Sequence, residues 1–282
     1  ALDPTRPVTH ALCVFWDNEE MMKKDIESRG ADAGQLDFWA EKTAPIADLL
    51  EIAGYNYEFD RLDRDEALFP DRLIAMTESF PLDAGIGKKR MDSDPRFVGE
   101  FVWTSWDYFG ETCIGHIADA GDNGWGLLQH PNHIANCGDM DICGFRKPQS
   151  WYREAMWRRD AVTLLSAPPA MFGKEYVISR WGFHECGRTW TYPGDEGRQT
   201  DVFVFSLCDE VELIVNGVSA GRKAPDGNGT AKFAVTYQPG QISARAYRGG
   251  ECVGEDVIRT TGTWTELRLA AKAEAAKDLI YV

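Results

Sequence analysis

Apolar and polar positions change rhythm once along this chain. Before residue 160, strand-like and helix-like stretches alternate. Pro7 to Val14 is an apolar run after a turn, and Ile52 to Tyr57 is short and strand-like. Between them, Asp37 to Leu50 sets Phe38, Ala40, Ile46, Leu49 and Leu50 at mixed helical spacing, with a break at Pro45. Asp65 to Leu68 starts a connecting helix that stops near Pro70, and Arg72 to Met76 is a strand. Pro95 closes a loop before the strand Phe97 to Trp103. Gln149 to Arg159 reads as a helix with Trp151, Tyr152, Ala155 and Met156 toward the core. Alternation of this kind predicts an α/β fold.

From about residue 161 the chain shifts to short strands: Val202–Phe205, Val211–Val215, Ala231–Tyr237, Ile242–Tyr247 and Val253–Thr260. Turn signals separate them at Asn216-Gly217, at 225–229, at Pro239-Gly240 and at Gly249-Gly250. This spacing predicts an all-β sandwich, and Asn-Gly is the strongest of its hairpin signals. No carboxylate pair or His–acid arrangement stands out there, so no chemistry is assigned to it.

Composition narrows the function. With 282 residues there is room for about two domains. A net charge of −15 argues against nucleic acid and against an anionic membrane surface, both of which need basic partners. No run of 18 apolar residues is present, so no membrane-spanning helix is expected. The seven cysteines contain no C-x-x-C and read as small buried apolar residues. Ten tryptophans in a 12% aromatic share lean toward a carbohydrate partner, although most of them are expected in cores.

The stretch 110–144 is rich in Gly, Asp and Asn and is too long for an ordinary connection. It reads as a wall of the active site. Its His116, His130, His133, Asp119, Asp122, Asp139 and Asp141 match no ligand spacing, so no metal and no cofactor is expected.

Two segments carry candidate chemistry. Thr77-Glu78-Ser79 puts a carboxylate after the apolar run Leu73–Met76. About twenty residues later, Gly99 to Glu111 puts Trp103 and Trp106 beside Asp107 and Glu111 at the end of another apolar run. A carboxylate at a strand mouth, faced by an aromatic ring, suits hydrolysis of a sugar acetal. The carboxylate traps an oxocarbenium ion, and the ring offers a flat apolar face to the sugar.

These segments resemble glycoside hydrolase family 2, the β-galactosidase and β-glucuronidase family. The likeness is collinear through six motifs. They are 3–9 (Asp-Pro-Thr-Arg-Pro-Val-Thr), Gly54-Tyr55-Asn56-Tyr57, Thr77-Glu78-Ser79, Phe101-Val102-Trp103, Lys147–Ser150 with Tyr152-Arg153, and Glu212–Gly217. The resemblance implies that residues 1–160 are the C-terminal half of a (β/α)8 TIM barrel of a glycosidase catalytic domain. Residues 161–262 would be an immunoglobulin-like β-sandwich. Residues 263–282 would be a linker and the first strand of a further, truncated domain. The first four barrel strands and the domains before them are then expected upstream on the same polypeptide.

The resemblance also implies a retaining glycosidase with a carbohydrate substrate, β-galactosides first. A β-glucuronidase or β-mannosidase of the same family, or a non-catalytic carbohydrate-binding module, are the alternatives. Glu78 would be the nucleophile and Tyr57 would orient it. Tyr55 competes with Tyr57 for that role, since strand alternation puts both on one face, and otherwise lines the substrate. Trp103 would floor the sugar subsite or cap the barrel core. Asn56, His10, Asp107 and Trp106 are candidate substrate contacts, with a satisfied buried histidine the other reading of His10. The acid/base carboxylate is expected before the motif at 3–9. Asn18-Glu19 has fitting letters but falls after it. Arg146-Lys147 is the adjacent basic pair that a uronate would need, and its place at a helix start fits a structural role better.

Overall fold

The computed structural model describes residues 5–13, 20–21, 24–25, 27, 37–112, 114–119, 133–262, 266, 268, 274–276 and 279–281. The candidates Glu19, Asp122 and His130 therefore lie outside the described residues.

Strands β1 (Thr9–Cys13), β2 (Ile52–Asn56), β3 (Ile74–Ser79) and β4 (Phe97–Val102) form one parallel sheet in that order. Helices α1 (Phe38–Ala47), α2 (Leu62–Leu68) and α3 (Ala84–Ser93) connect them. Side chains alternate across a strand. Leu12, Ala53, Tyr55, Ile74, Met76 and Phe97 thus share one face and pack on Trp39, Ala47 and Leu62 of the helical layer. Gly54 lies on the opposite face. A Cβ there would stand 2.7 Å from the His10 carbonyl oxygen, so the close approach of β1 to β2 requires glycine.

Helix α1 starts where Asp37 accepts the Ala40 N–H at 2.9 Å. It runs two residues past Pro45 rather than breaking there. Proline withdraws one donor, but Asp48 still donates to Ala44 at 2.9 Å and closes the last turn.

After β4 come β5 (Tyr108–Phe109), β6 (Ile117–Asp119) and β7 (Ile134–Ala135), all short. Strand β5 pairs with β7, and β6 pairs with β9 (Tyr176–Ile178). Helix α4 (Pro148–Trp157) leads to β8 (Thr163–Ser166).

Two antiparallel sheets follow. One has the order β13–β10–β8, and the other β12–β11–β14–β15. Their strands are β10 (Gln199–Phe205), β11 (Glu210–Val215), β12 (Val218–Lys223), β13 (Thr230–Thr236), β14 (Gln241–Arg248) and β15 (Glu251–Arg259). Val202, Val204, Leu213, Phe233, Ile242, Ala244 and Trp190 fill the core between them. The β11–β12 hairpin turns at Asn216-Gly217, both at positive φ of 48° and 82°, the geometry Asn-Gly favours. A further short pair, β16 (Glu274–Ala276) and β17 (Leu279–Tyr281), closes the described chain.

Helix α4 packs on the antiparallel part. Tyr152, Ala155 and Met156 join Leu165, Phe183, Phe203 and Phe205 in one cluster. The Tyr152 hydroxyl accepts the Gly85 N–H at 3.0 Å and lies 2.8 Å from the Asn228 carbonyl oxygen.

Candidate functional site

The site forms where β2 and β3 end. Asn56 pairs in register with Glu78, and the next residue, Tyr57, donates its N–H to the Glu78 carbonyl at 2.8 Å. The ladder shifts register between Tyr55 and Asn56. Tyr57 itself adopts a left-handed backbone, φ 63°, which costs a non-glycine residue about 1 kcal/mol or more. Together the shift and the turn break the alternation that would put Tyr55 and Tyr57 on one face.

The consequence is a division of labour. Tyr55 is fully buried in the helical layer, edge-on to Trp39. Its hydroxyl donates to Asp65 at 2.7 Å and accepts from Arg72 at 3.0 Å. That network removes Tyr55 from both roles expected for it. Tyr57 turns the other way. Its ring stacks on Phe80 at 4.5 Å, and its hydroxyl faces the Glu78 carboxylate, one of the causes that raise its pKa. The same hydroxyl accepts the Trp181 indole N–H at 3.0 Å. Burial is the largest cause holding the Tyr57 phenol far above its ordinary pKa, so it remains a proton donor.

Trp103 follows β4 directly and joins the same aromatic cluster as Tyr57, Phe80, Tyr108 and Trp181. Its N–H donates to the Tyr108 hydroxyl at 3.0 Å, edge-to-face with that ring, and the Tyr108 hydroxyl bonds Glu111. Trp103 is thus half-buried and tethered at its polar edge. Asn56 is buried, and its carboxamide oxygen accepts the Thr77 hydroxyl at 2.6 Å, which leaves the NH2 group to donate.

Three other expected contacts are placed elsewhere. Asp107 is buried under Lys147, whose ammonium lies 2.8 and 3.0 Å from its two oxygens. It also accepts the Gly138 N–H at 2.8 Å. Asp107 therefore anchors a loop instead of meeting solvent. Trp106 is 51% exposed and lies beside Gly144, outside the aromatic cluster that holds Tyr57 and Trp103. His10 is exposed, and alternation puts it on the face of Leu12, the helix-covered side, away from Asn56.

Trp181, Phe80 and Tyr108 had no signal in the sequence. Trp181 lies in the stretch that turn spacing assigns to the sandwich. Among the described residues, no group of three or more His, Cys, Asp or Glu could hold a metal ion. His184 is stacked on Phe203 at 4.5 Å, and burial pushes its pKa down to about 4, so it is a neutral packing residue.

Comparison with known proteins bears on the whole arrangement. A β-galactosidase of Bacteroides ovatus, BoGH2A, is 25% identical over 331 residues, covering 100% of this chain and 32% of its own. A crystal structure of a glycosyl hydrolase family 2 member from Bacteroides cellulosilyticus superposes with a TM-score of 0.72 at 29% identity, over 96% of this chain and 32% of that one. The likeness is to glycoside hydrolase family 2. A putative β-glucuronidase of Formosa agariphila is 25% identical over 182 residues, 63% of this chain and 14% of its own. A family model described as a domain of unknown function (DUF4982) matches residues 197–254, from the start of β10 into β15. The chain spans about a third of the length of the first two family 2 relatives.

Proposed function

We propose that this chain carries the nucleophile side of a retaining β-glycosidase with β-galactosides as substrate. The observation that carries the reading is the backbone bond that sets Tyr57 beside Glu78 where β3 ends, the Tyr57 N–H donating to the Glu78 carbonyl at 2.8 Å, with Trp103 in the Tyr57 cluster just after β4. In this reading β1–β4 are the second half of a (β/α)8 barrel, spanning residues 1–160. An immunoglobulin-like sandwich follows at 161–262, and 263–282 begin a further domain.

Glu78 attacks the anomeric carbon as the bond to the leaving oxygen breaks, giving a glycosyl-enzyme. A second carboxylate, about 5–5.5 Å from the first, protonates that oxygen and then deprotonates the water that releases the sugar. We place this second carboxylate upstream, before the motif at 3–9. Trp103 lies under the sugar, and the Asn56 NH2 donates to a hydroxyl.

The basic pair supports a neutral sugar over a uronate. Lys147 is held by Asp107. Arg146 is held by Glu154 at 2.7 Å and stacks on Trp151.

The test is Glu78→Gly in the complete polypeptide, with an activated aryl β-galactoside. Turnover should fall by roughly four or more orders of magnitude, as the covalent route is lost. Azide should then enter the space Glu78 held and attack from that face, giving the α-glycosyl azide. Glu19→Gly should keep most of the activity. Near-normal turnover in Glu78→Gly would refute the assignment.

A further inference from the structure

We propose that Trp181 is a positioning residue for the nucleophile. It fixes the Tyr57 hydroxyl so that its one proton faces Glu78. The inference rests on the proposed function and extends it to a segment outside the motifs that carry chemistry.

Proton counting fixes the direction of the Trp181–Tyr57 contact. An indole N–H can only donate, whereas a phenol hydroxyl carries one proton and two lone pairs. The 3.0 Å contact between Trp181 Nε1 and the Tyr57 oxygen is therefore directed from Trp181 to Tyr57. With that lone pair occupied, the Tyr57 proton turns elsewhere, and in this proposal it goes to the carboxylate of Glu78, the strand-end neighbour whose carbonyl already accepts the Tyr57 N–H at 2.8 Å. Accepting one hydrogen bond also makes a hydroxyl a better donor for the next, by ~10–30% per bond. Without Trp181 the hydroxyl could rotate about its C–O bond, and its donation to Glu78 would become one option among several.

The delivery of Trp181 is as specific as its contact. It is 7% exposed, and its ring meets Tyr57 edge-on at 5.8 Å and Phe80 at 5.5 Å. The three rings thus pack on one another as a triangle. Trp181 sits in a tight turn just after β9, where the Gly182 N–H donates to the Ser179 carbonyl at 2.7 Å. Gly182 leaves no room for a side chain there, since a Cβ would lie 2.9 Å from Ile178. The Ser179 N–H donates to the His116 carbonyl at 3.2 Å, and β9 pairs with β6 of the long loop after β4. A segment 124 residues beyond Tyr57 is in this way stitched to the wall of the site.

A core tryptophan that merely finds an acceptor would show the same distance, so the test must separate packing from positioning. We would compare Trp181→Phe, Tyr57→Phe, the double variant and Glu78→Gly in the complete polypeptide. The readout is kcat and KM on the aryl β-galactoside, with melting temperatures alongside. Trp181→Phe keeps a ring and loses the N–H. It should lower kcat roughly tenfold with KM within about twofold, since misorientation acts on the chemical step more than on binding. In the Tyr57→Phe background the same change should cost less than about twofold, because the hydroxyl through which it acts is gone. If Trp181→Phe does not fold, benzothienylalanine at 181 keeps the ring shape, removes only the N–H and is read the same way.

Equal losses in the two backgrounds, or wild-type kcat in Trp181→Phe, would overturn the inference while an inactive Glu78→Gly left the proposed function standing. An active Glu78→Gly would overturn the proposed function itself, whatever Trp181 does.

Discussion

Lys147 holds Asp107 through both carboxylate oxygens, at 2.8 and 3.0 Å, across forty residues of chain. Asp107 is almost completely shielded from solvent, its side chain 1% exposed. The same ammonium lies 2.8 Å from the carbonyl and side-chain oxygens of Asn136. The Thr104–Asp107 turn after Trp103 and the 133–147 loop are therefore fastened at one buried ion pair.

Removing one partner should strand the other. Lys147→Met leaves Asp107 charged and buried, and the expected loss is about 3–5 kcal/mol of unfolding free energy. The double change Asp107→Leu with Lys147→Met should cost less than Lys147→Met alone, since no lone charge remains. Urea denaturation at neutral pH measures both. A neutral Lys147→Met would mean that the loop is held by other contacts.

His184 supplies a pH-dependent stability. Burial lowers its pKa from 6.5 to about 4, so the unfolded chain binds a proton between these values and the folded chain does not. Its contribution is complete above pH 6.5 and is lost as pH falls toward 4, by up to about 2–3 kcal/mol. The stacking on Phe203 should accept His184→Phe. That variant should differ least from wild type at pH 7 and be relatively more stable at pH 4.5. Parallel pH profiles of melting temperature for the two proteins would count against the buried neutral imidazole.

Glu58 works with the opposite sign. It is 7% exposed, with no partner on Oε1. Burial raises its pKa from 4.5 to about 8, only partly offset by Arg61. The folded state binds the extra proton, so this contribution is present below pH 4.5 and lost as pH rises through 8. Glu58→Gln should be more stable than wild type at pH 8.5, by about 1–3 kcal/mol, with the gap closing near pH 5. A variant no more stable than wild type at pH 8.5 would sink this account.

Much of the parallel sheet was legible in the sequence because its strands are short apolar runs between breakers, and Glu78 is the polar residue where one of them ends. Tyr55 and Tyr57 were not separable by the same logic. Alternation treats them alike, and only the register shift and the left-handed backbone at Tyr57 send them to opposite sides. Strand β12 escaped notice because every residue in it is exposed, so it carries no apolar alternation. Trp181 was hidden for another reason. It reaches Tyr57 through the β6–β9 ladder, and a long-range pairing of two three-residue strands leaves almost no trace in local pattern. Asp107 and Lys147 looked like a candidate ligand and a candidate cation, yet each is the other's partner.

The contacts of α4 bear on how this kind of protein can be recombined. Periodicity changes after the helix, so a gene cut suggested by pattern would fall near residue 160. Packing draws the seam differently. Met156 lies where a side chain on Gly229 would collide with it at 2.6 Å, and Tyr152 touches Phe183 and Phe205 on one side and Gly85 on the other. A chimera made at the pattern boundary would join a helix from one parent to a sheet that evolved under another. Swaps between relatives should therefore keep 148–157 together with 161–262. Even then, the 81–85 turn on the far side of Tyr152 has to match its new neighbour.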